Sequence, residues 1–337
     1  MSEMNISTLK PSLAMKAAIN QILANIPICF WGGAGIGKSD MVRQIAKAIK
    51  LDKVWDIRVA INDPTDLKGV PIPDLEKMVI QWLRDNNLPT DPDAKGILFL
   101  DEITQGSPMV MGMCYQLVLD RKLGDYVLPK GVRIVMASNR ASDRGVVNQM
   151  PAPLRNRAWH CEVVPDVTDW AAWAVENDVL PEVVAFNRWK GDALHSFSPE
   201  MTAFPTPRTM VMLSDTLKQR PDEDIEHALI EGCIGRGHAL EFSGFLRTFR
   251  SLPDLDGIIR NPDTADVPTE PSVLYALCTG LARKATDANF GNIIKYVRRI
   301  GKEFQTLTVM DAIKRDEKLM KNKAYIDLAC DLQQLVF

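Results

Sequence analysis

The chain has 337 residues, more than one typical domain, and 46% of its residues are hydrophobic and 25% charged. These values are those of an ordinary globular protein, and they exclude a disordered or fibrous chain. The net charge of −3 excludes an overall basic field. A nucleic acid is therefore an improbable partner, and it would be bound only through a local basic patch.

The cysteines and the apolar runs indicate the compartment. Cysteine residues stand singly, at Cys29, Cys114, Cys161, Cys233, Cys278 and Cys330. Zinc sites and disulfide scaffolds need closer spacing, so we expect reduced and mostly buried thiols. No apolar run approaches the ~20 residues of a membrane span, and Met1–Lys10 lacks the regions of a signal peptide. We expect no membrane span and a cytoplasmic protein.

The first half of the chain alternates short apolar runs with amphipathic segments, which predicts a parallel sheet. The predicted strands are Pro27–Trp31, Val54–Ala60, Gly96–Leu100, Val132–Ser138 and Trp159–Val164. A helix is predicted at Lys38–Ile49, directly after the first strand. The predicted fold class is α/β, with a five-stranded parallel sheet and helices on both faces. Ligands of such sheets bind beyond the carboxyl ends of the strands.

From Asp166 onward helical periodicity replaces this alternation, so the second half is predicted to be mainly helical. Residues 253–271 are rich in proline and aspartate, which predicts a linker or loop. A helix is predicted at Asn292–Phe304. Its basic residues favour a solvated face, with a partner or nucleic-acid role as the alternative: Lys295, Arg298, Arg299 and Lys302.

A phosphate-binding loop follows the first predicted strand. Its eight residues match G-x-x-x-x-G-K-[ST] between a strand and a helix: Gly32, Gly33, Ala34, Gly35, Ile36, Gly37, Lys38 and Ser39. The glycines let backbone N–H groups surround phosphate oxygens, and the helix N-terminus adds positive charge. Lys38 is predicted to neutralise phosphate charge and Ser39 to bind Mg²⁺. The motif predicts binding of ATP with Mg²⁺, and we expect hydrolysis.

Polar residues end two later strands. Asp101 and Glu102 follow the apolar strand at 96–100, where we expect Asp101 to hold Mg²⁺ and Glu102 to orient the attacking water. Asn139 ends the next strand and could reach between the γ-phosphate and that water. Alone, such residues are more often caps and turns. Beside the phosphate-binding loop they predict a catalytic set.

Arginines precede the fifth strand and open a helix in the second half. Arg155 and Arg157 lie in the first segment and Arg208 in the second. A guanidinium stabilises charge on a transferring phosphoryl group without losing its own proton. A single arginine is more often a surface residue, but these follow the other elements in order.

The segments GGAGIGKS, ILFLDE, MASN, LRNR and TPR together resemble an AAA+ ATPase, a P-loop NTPase, over about residues 20–250. Asp63–Pro71 resembles the loop after strand two in the MoxR-like branch, and Thr206–Met210 also resembles that branch. Asp120–Tyr126 resembles the helix-two insert hairpin of this branch.

The resemblance assigns roles to matching residues. Lys38 and Ser39 correspond to Walker A, Asp101 and Glu102 to Walker B, and Asn139 to sensor 1. Arg157 corresponds to the arginine finger, with Arg155 as its competitor because Asn156 stands where the family usually has an acidic residue. Arg208 corresponds to sensor 2.

The resemblance also implies a domain plan and partners. It implies a nucleotide-binding domain at 1–180, a helical lid at 181–252, the linker or loop at 253–271 and a helical C-terminal region at 272–337. It implies a homo-oligomer, commonly a hexameric ring, that remodels or activates a protein partner, often one with a von Willebrand factor A domain. A DNA-directed ATPase and a nucleotide-gated scaffold are the alternatives, and a small-molecule kinase is a weaker one.

Overall fold

The computed structural model describes residues 6–51, 53–84, 87–140, 148–198, 200–252 and 254–333. The chain divides into two compact units, Met1–Pro165 and Asp166–Phe337. The finer division of the second half into lid, linker and C-terminal region stays a prediction. Within the described residues, no helix is both long and apolar enough to cross a membrane.

A parallel sheet of six strands forms the centre of the first unit. In chain order its strands are β1 (Thr8–Leu9), β2 (Ile28–Trp31), β3 (Val54–Arg58), β6 (Lys95–Asp101), β9 (Gly131–Ser138) and β10 (Trp159–Val163). Their order across the sheet is β1-β10-β2-β9-β6-β3. The predicted α/β class is confirmed, but the predicted count of five strands is wrong. The additional strand β1 pairs only two residues with β10, too few to give a sequence pattern.

The first-unit helices are α1 (Pro11–Leu23), α2 (Lys38–Ala48), α3 (Pro64–Lys68), α4 (Pro108–Asp120) and α5 (Ala152–Arg155). Side chains of one strand alternate between the two sheet faces. Ile97 and Phe99 of β6 pack in a cluster with α1 and α2. Leu98 and Leu100 pack in the opposite cluster with α4 and Leu154 of α5. Helices therefore cover both faces, as predicted.

Two antiparallel hairpins are attached to the first unit. The first hairpin pairs β4 (Val70–Asp74) with β5 (Val79–Leu83), and the second pairs β7 (Lys122–Leu123) with β8 (Tyr126–Val127). The segment interpreted as a loop, Asp63–Pro71, instead contains α3 and the start of β4. The hairpin predicted at Asp120–Tyr126 has strands of only two residues, whereas the longer hairpin β4–β5 was not predicted.

The second unit is helical. Its α-helices are α6 (Val167–Glu176), α7 (Pro181–Trp189), α8 (Pro207–Lys218), α9 (Glu223–Ile234), α10 (Arg236–Arg250), α11 (Leu255–Arg260), α12 (Pro271–Lys284), α13 (Phe290–Val297), α14 (Lys302–Arg315) and α15 (Lys323–Gln333). Two short 3₁₀ helices occupy Gly191–Leu194 and Glu317–Lys321. Phe186, Phe242 and Phe245 pack edge to face in its core.

Two segments of the second unit differ from the expected structure. Part of the predicted linker is helical, because Asp254 caps α11 through the N–H of Asp256, while Pro253 lies outside the described residues. The helix predicted at Asn292–Phe304 is interrupted between α13 and α14, where Gly301 is the N-cap of α14. The four basic residues therefore do not share one helix face.

Candidate functional site

The phosphate-binding loop joins the end of β2 to the start of α2. Gly37 has φ of 94°, a left-handed conformation that side chains disfavour, and it is the N-cap of α2. A Cβ atom at Gly32 would lie 2.7 Å from the carbonyl oxygen of Val163. A glycine is thus needed at both ends of the loop. The first N–H groups of α2 lack helical partners, as in other anion-binding turns.

Lys38 is almost completely buried, with 9% of its surface exposed. Its ammonium donates hydrogen bonds to the carbonyl oxygens of Gly32 and Gly33, at 2.8 and 3.0 Å. It also donates to Oδ1 of Asn139 at 2.9 Å. The predicted Walker A lysine and the predicted sensor 1 amide are therefore in direct contact.

Asp101 is the last residue of β6, next to the loop. Its Oδ2 accepts a hydrogen bond from the hydroxyl of Ser39 at 3.0 Å, and its Oδ1 accepts one from the N–H of Glu102 at 2.9 Å. Glu102 has φ of 55°, which is uncommon for a residue with a side chain. Such backbone conformations cluster at active sites. Asp101 and Ser39 lie together, and the chain turns sharply at Glu102.

Two buried hydroxyls connect β9 to the turn that follows β6. Thr104 and Ser138 form a hydrogen bond through their side chains. In the same region the N–H of Ile103 donates to the carbonyl oxygen of Ala137 at 3.0 Å. Neither hydroxyl residue was predicted from the sequence. Their position beside the predicted Walker B and sensor 1 residues was the available signal.

Arg155 is the last residue of α5 and Arg157 lies two residues beyond it, and both arginines are exposed. Nη1 of Arg157 donates to the carbonyl oxygen of Leu119 at 3.1 Å. Among the described contacts, neither guanidinium hydrogen-bonds to Asp101 or to Asn139. The structure thus does not bring these arginines into the polar cluster at the strand ends.

Arg208 belongs to the second unit, in the first turn of α8, and it is exposed. That helix begins with a capping box in which Thr206 and Thr209 satisfy each other's backbone N–H groups. Pro207 follows at the first helical position, which suits its fixed φ angle. The Thr206–Met210 segment thus has a local structural role in starting α8.

The cluster at the strand ends combines an ammonium, a hydroxyl, a carboxylate and an amide. Lys38 and Ser39 begin α2, which follows β2, whereas Asp101 ends β6 and Asn139 directly follows β9. In the sheet, β9 lies between β2 and β6. Positive charge beside a glycine turn suits a phosphate-bearing ligand. Hydroxyl and carboxylate oxygens suit Mg²⁺.

The comparisons with known proteins agree with this chemistry. Residues 27–158 match the family described as AAA domain (dynein-related subfamily). This segment is similar to an AAA domain. The match lies within the first unit and covers less than half of the chain. No curated protein matches the sequence.

Among solved structures, NtrX from Brucella abortus in complex with ADP is 14% identical, with a TM-score of 0.43. That similarity covers 99% of this chain and 70% of NtrX. RuvB from Thermotoga maritima, a Holliday junction branch migration motor, is 17% identical over 88% of this chain and 84% of RuvB, with a TM-score of 0.36. Both TM-scores are below 0.5, too low to indicate a shared function.

Proposed function

We propose that the chain is a Mg²⁺-dependent ATPase of the MoxR-like branch, which assembles as a ring and uses ATP hydrolysis to remodel or activate a protein partner. The contact of Lys38 with Asn139 and of Ser39 with Asp101 carries the enzymatic part of this proposal. In this cluster, residues at or after the carboxyl ends of three neighbouring strands meet where a nucleotide's phosphates would lie.

The proposed roles follow from the chemistry of each side chain. Lys38 neutralises charge on the transferring phosphoryl group, and the backbone N–H groups of Gly32–Ser39 surround the phosphates. Asn139 hydrogen-bonds to the γ-phosphate or to the attacking water. Glu102 orients and polarises that water, because phosphoryl transfer depends on positioning and charge stabilisation.

Ser39 and Asp101 fit a magnesium ion. Their oxygens already lie 3.0 Å apart at the edge of the sheet, and oxygen ligands are those that Mg²⁺ prefers. When bound, Mg²⁺ neutralises phosphate charge and orients the leaving group. Ser39 supplies a neutral hydroxyl, whereas Asp101 supplies a negatively charged carboxylate. Replacement of Asp101 should therefore weaken Mg²⁺ binding more than replacement of Ser39.

The candidate finger arginines are proposed to act between subunits of a ring, and Arg208 within its own subunit. Arg157, or alternatively Arg155, acts on the ATP of a neighbouring subunit. The exposure of both side chains supports this role, because an exposed guanidinium is accessible to a second chain. Arg208 is proposed to contact the nucleotide of its own subunit, so Arg208→Ala should weaken ATP affinity or slow turnover.

The hairpin β4–β5 favours a protein partner over DNA. Seven of its large apolar side chains are more than 40% exposed: Val70, Ile72, Leu75, Met78, Val79, Ile80 and Leu83. A concentration of exposed apolar side chains is typical of protein interaction sites. Phosphate backbones are instead bound by clustered lysines and arginines. A von Willebrand factor A domain is the partner that the resemblance suggests.

Replacement of Asp101 by Asn tests the enzymatic part. Asp101→Asn should slow phosphate release from ATP by at least about 100-fold, since several kcal/mol of charge stabilisation depends on the metal. It should also remove the Mg²⁺-dependent part of ATP affinity, measured by titration with and without Mg²⁺. Asp120→Asn is the matched control, because Asp120 is exposed at the end of α4. Normal turnover in Asp101→Asn would contradict the site.

Partner capture by Glu102→Gln tests the remodelling part. This variant should bind ATP without turnover and retain its partner. Adding Ile72→Ser and Ile80→Ser should release that partner while leaving ATP binding intact. If the apolar substitutions change nothing, or if DNA stimulates ATP turnover, the protein-partner assignment fails. If ring assembly needs ATP but wild type shows no turnover, the chain is a nucleotide-gated scaffold.

A further inference from the structure

His160 joins the strand of the phosphate-binding loop to the segment that carries the candidate finger arginines. Its Nδ1 accepts a hydrogen bond from Nε1 of Trp31 at 3.0 Å. Its Nε2 lies 2.9 Å from the carbonyl oxygen of Arg155. Trp31 is the last residue of β2, directly before Gly32, and Arg155 is the last residue of α5. One imidazole thus bridges two elements of the proposed site.

The two partners determine the protonation state of the bridge. An indole N–H can only donate, so Nδ1 of His160 must be unprotonated. A carbonyl oxygen can only accept, so Nε2 must carry the proton. Both hydrogen bonds therefore exist together only in the neutral Nε2–H tautomer. A doubly protonated ring has no acceptor for Trp31.

The hydrogen bond from Nε2 holds the C-terminal end of α5. This helix has only four residues, and its last carbonyl groups have no partner within the helix. The N–H of Arg157 donates to the carbonyl oxygen of Leu154 at 3.0 Å, so Arg157 continues the same turn. A displacement of the Arg155 peptide would therefore also displace Arg157.

We infer that His160 is a positioning residue that holds the Arg155–Arg157 turn against the strand of the phosphate-binding loop. This inference rests on the proposed finger role of these arginines. His160 touches no reacting atom and acts through the peptide of Arg155. Since a misplacement of about 1 Å can slow a reaction by about 100-fold, one such hydrogen bond is sufficient to affect turnover.

The neighbours of His160 in the sheet are a buried thiol and a paired carboxylate. Cys29 lies opposite His160 on β2, and burial raises the pKa of this thiol, so it stays neutral. Glu162 lies two residues along β10 and pairs with Arg140 at 2.6 Å.

Three replacements of His160 separate its two hydrogen bonds. The amide of His160→Gln reaches the position of Nε2 and can donate to Arg155, whereas the amide of His160→Asn reaches the position of Nδ1 and can accept from Trp31. His160→Leu makes neither bond. We expect kcat near the wild-type value for Gln, and kcat lower by about 10- to 100-fold for Asn and Leu, with the KM for ATP little changed. His227→Gln, in the second unit, is the control.

The split between kcat and KM is a second readout, because loss of the hydrogen bond to Arg155 should slow turnover without weakening ATP binding. Thermal unfolding of each variant establishes that the fold is retained. Equal losses in Gln and Asn, or wild-type kcat in Leu, would overturn the inference.

A double variant separates this inference from the finger proposal. If His160 acts through the arginine turn, His160→Leu should lower kcat further by less than about 3-fold in an Arg157→Ala background, because coupled residues are not additive. If His160→Leu lowers kcat in this background by the same factor as in the wild type, the positioning role is wrong. If Arg157→Ala and Arg155→Ala each keep full turnover, the finger proposal itself is wrong, whatever the His160 variants do.

Discussion

The two units use their buried polar side chains differently. In the first unit, polar groups from separate strands contact one another at one edge of the sheet, as Lys38 does with Asn139 and Ser39 with Asp101. In the second unit, buried polar groups join one helix to another or bond within their own helix. Arg188 of α7 forms a bidentate pair with Asp311 of α14.

Other polar side chains of the second unit bond to their own helix. Asn187 donates to the carbonyl oxygen of Val183, Thr279 to that of Tyr275, and Thr308 to that of Phe304. Such bonds satisfy buried groups without bringing distant residues together. Burial of a polar residue alone therefore does not indicate chemistry, and the proposed site rests on the convergence of an ammonium, a hydroxyl, a carboxylate and an amide.

The largest expected effect concerns the arginine at the edge of the first unit. Arg157→Ala should assemble and bind ATP but turn over about 10³–10⁵ times more slowly, the range typical of an arginine finger. Mixing Arg157→Ala with Lys38→Ala should restore phosphate release, because some interfaces then combine an intact loop with an intact finger. If subunit exchange occurs and the mixture stays inactive, Arg157 does not act between subunits.

A smaller effect is expected from breaking the ion pair of the second unit. Asp311 is 4% exposed, so Asp311→Ala leaves Arg188 buried without its partner and should destabilise the protein by about 3–5 kcal/mol. Denaturant unfolding measures this change. The exposed Asp215, which pairs with Lys218, is the control, and Asp215→Ala should cost under about 1 kcal/mol. Unchanged stability in Asp311→Ala would contradict a structural role for this pair.

The smallest effect concerns the buried thiols, where burial raises the pKa of Cys161 to about 11 and that of Cys278 to about 11. The neutral thiol is the unreactive form, so alkylation near neutral pH should be much slower in the folded than in the unfolded protein. Because folding raises these pKa values, the corresponding stability is complete below the ordinary thiol pKa, about 8.5, and is lost as the pH rises through about 11. Mass-spectrometric mapping of alkylation at each cysteine from pH 7 to pH 11 tests this, and rapid labelling at pH 7 would contradict it.

The positions of the cysteines test the prediction that their thiols are mostly buried. Five cysteines are buried and free of disulfides, as expected, and the side chain of Cys330 lies outside the described residues. In this protein, a cysteine with no other cysteine close to it in sequence is therefore correctly predicted to be a core residue.

The strands of the sheet were predictable because each apolar run ends at a glycine or a polar residue. Predicted and observed bounds of β2, β3, β6, β9 and β10 agree to within two residues. The cluster at the strand ends was predictable because the carboxyl ends of parallel strands share one edge, so Lys38, Asp101 and Asn139 had to approach one another.

The hairpin β4–β5 was not predictable from the same signals. Pro71 and Pro73 lie within β4, and proline argues against a strand in sequence analysis. This hairpin is a separate two-stranded sheet, so its prolines do not interrupt the central ladder. The contacts of His160 with Trp31 and Arg155 were also not predictable, because the fold rather than the spacing brings these residues together.

The most direct test of the proposed nucleotide site compares Lys38→Ala with Glu102→Gln. Lys38→Ala removes the buried ammonium and should weaken ATP binding, measured by titration with a fluorescent ATP analogue. Glu102→Gln should bind ATP with wild-type affinity but release phosphate at least about 100-fold more slowly, the usual contribution of a group that acts on the reacting water. Wild-type turnover in Glu102→Gln, or wild-type affinity in Lys38→Ala, would contradict the assignment of this cluster as the site of ATP hydrolysis.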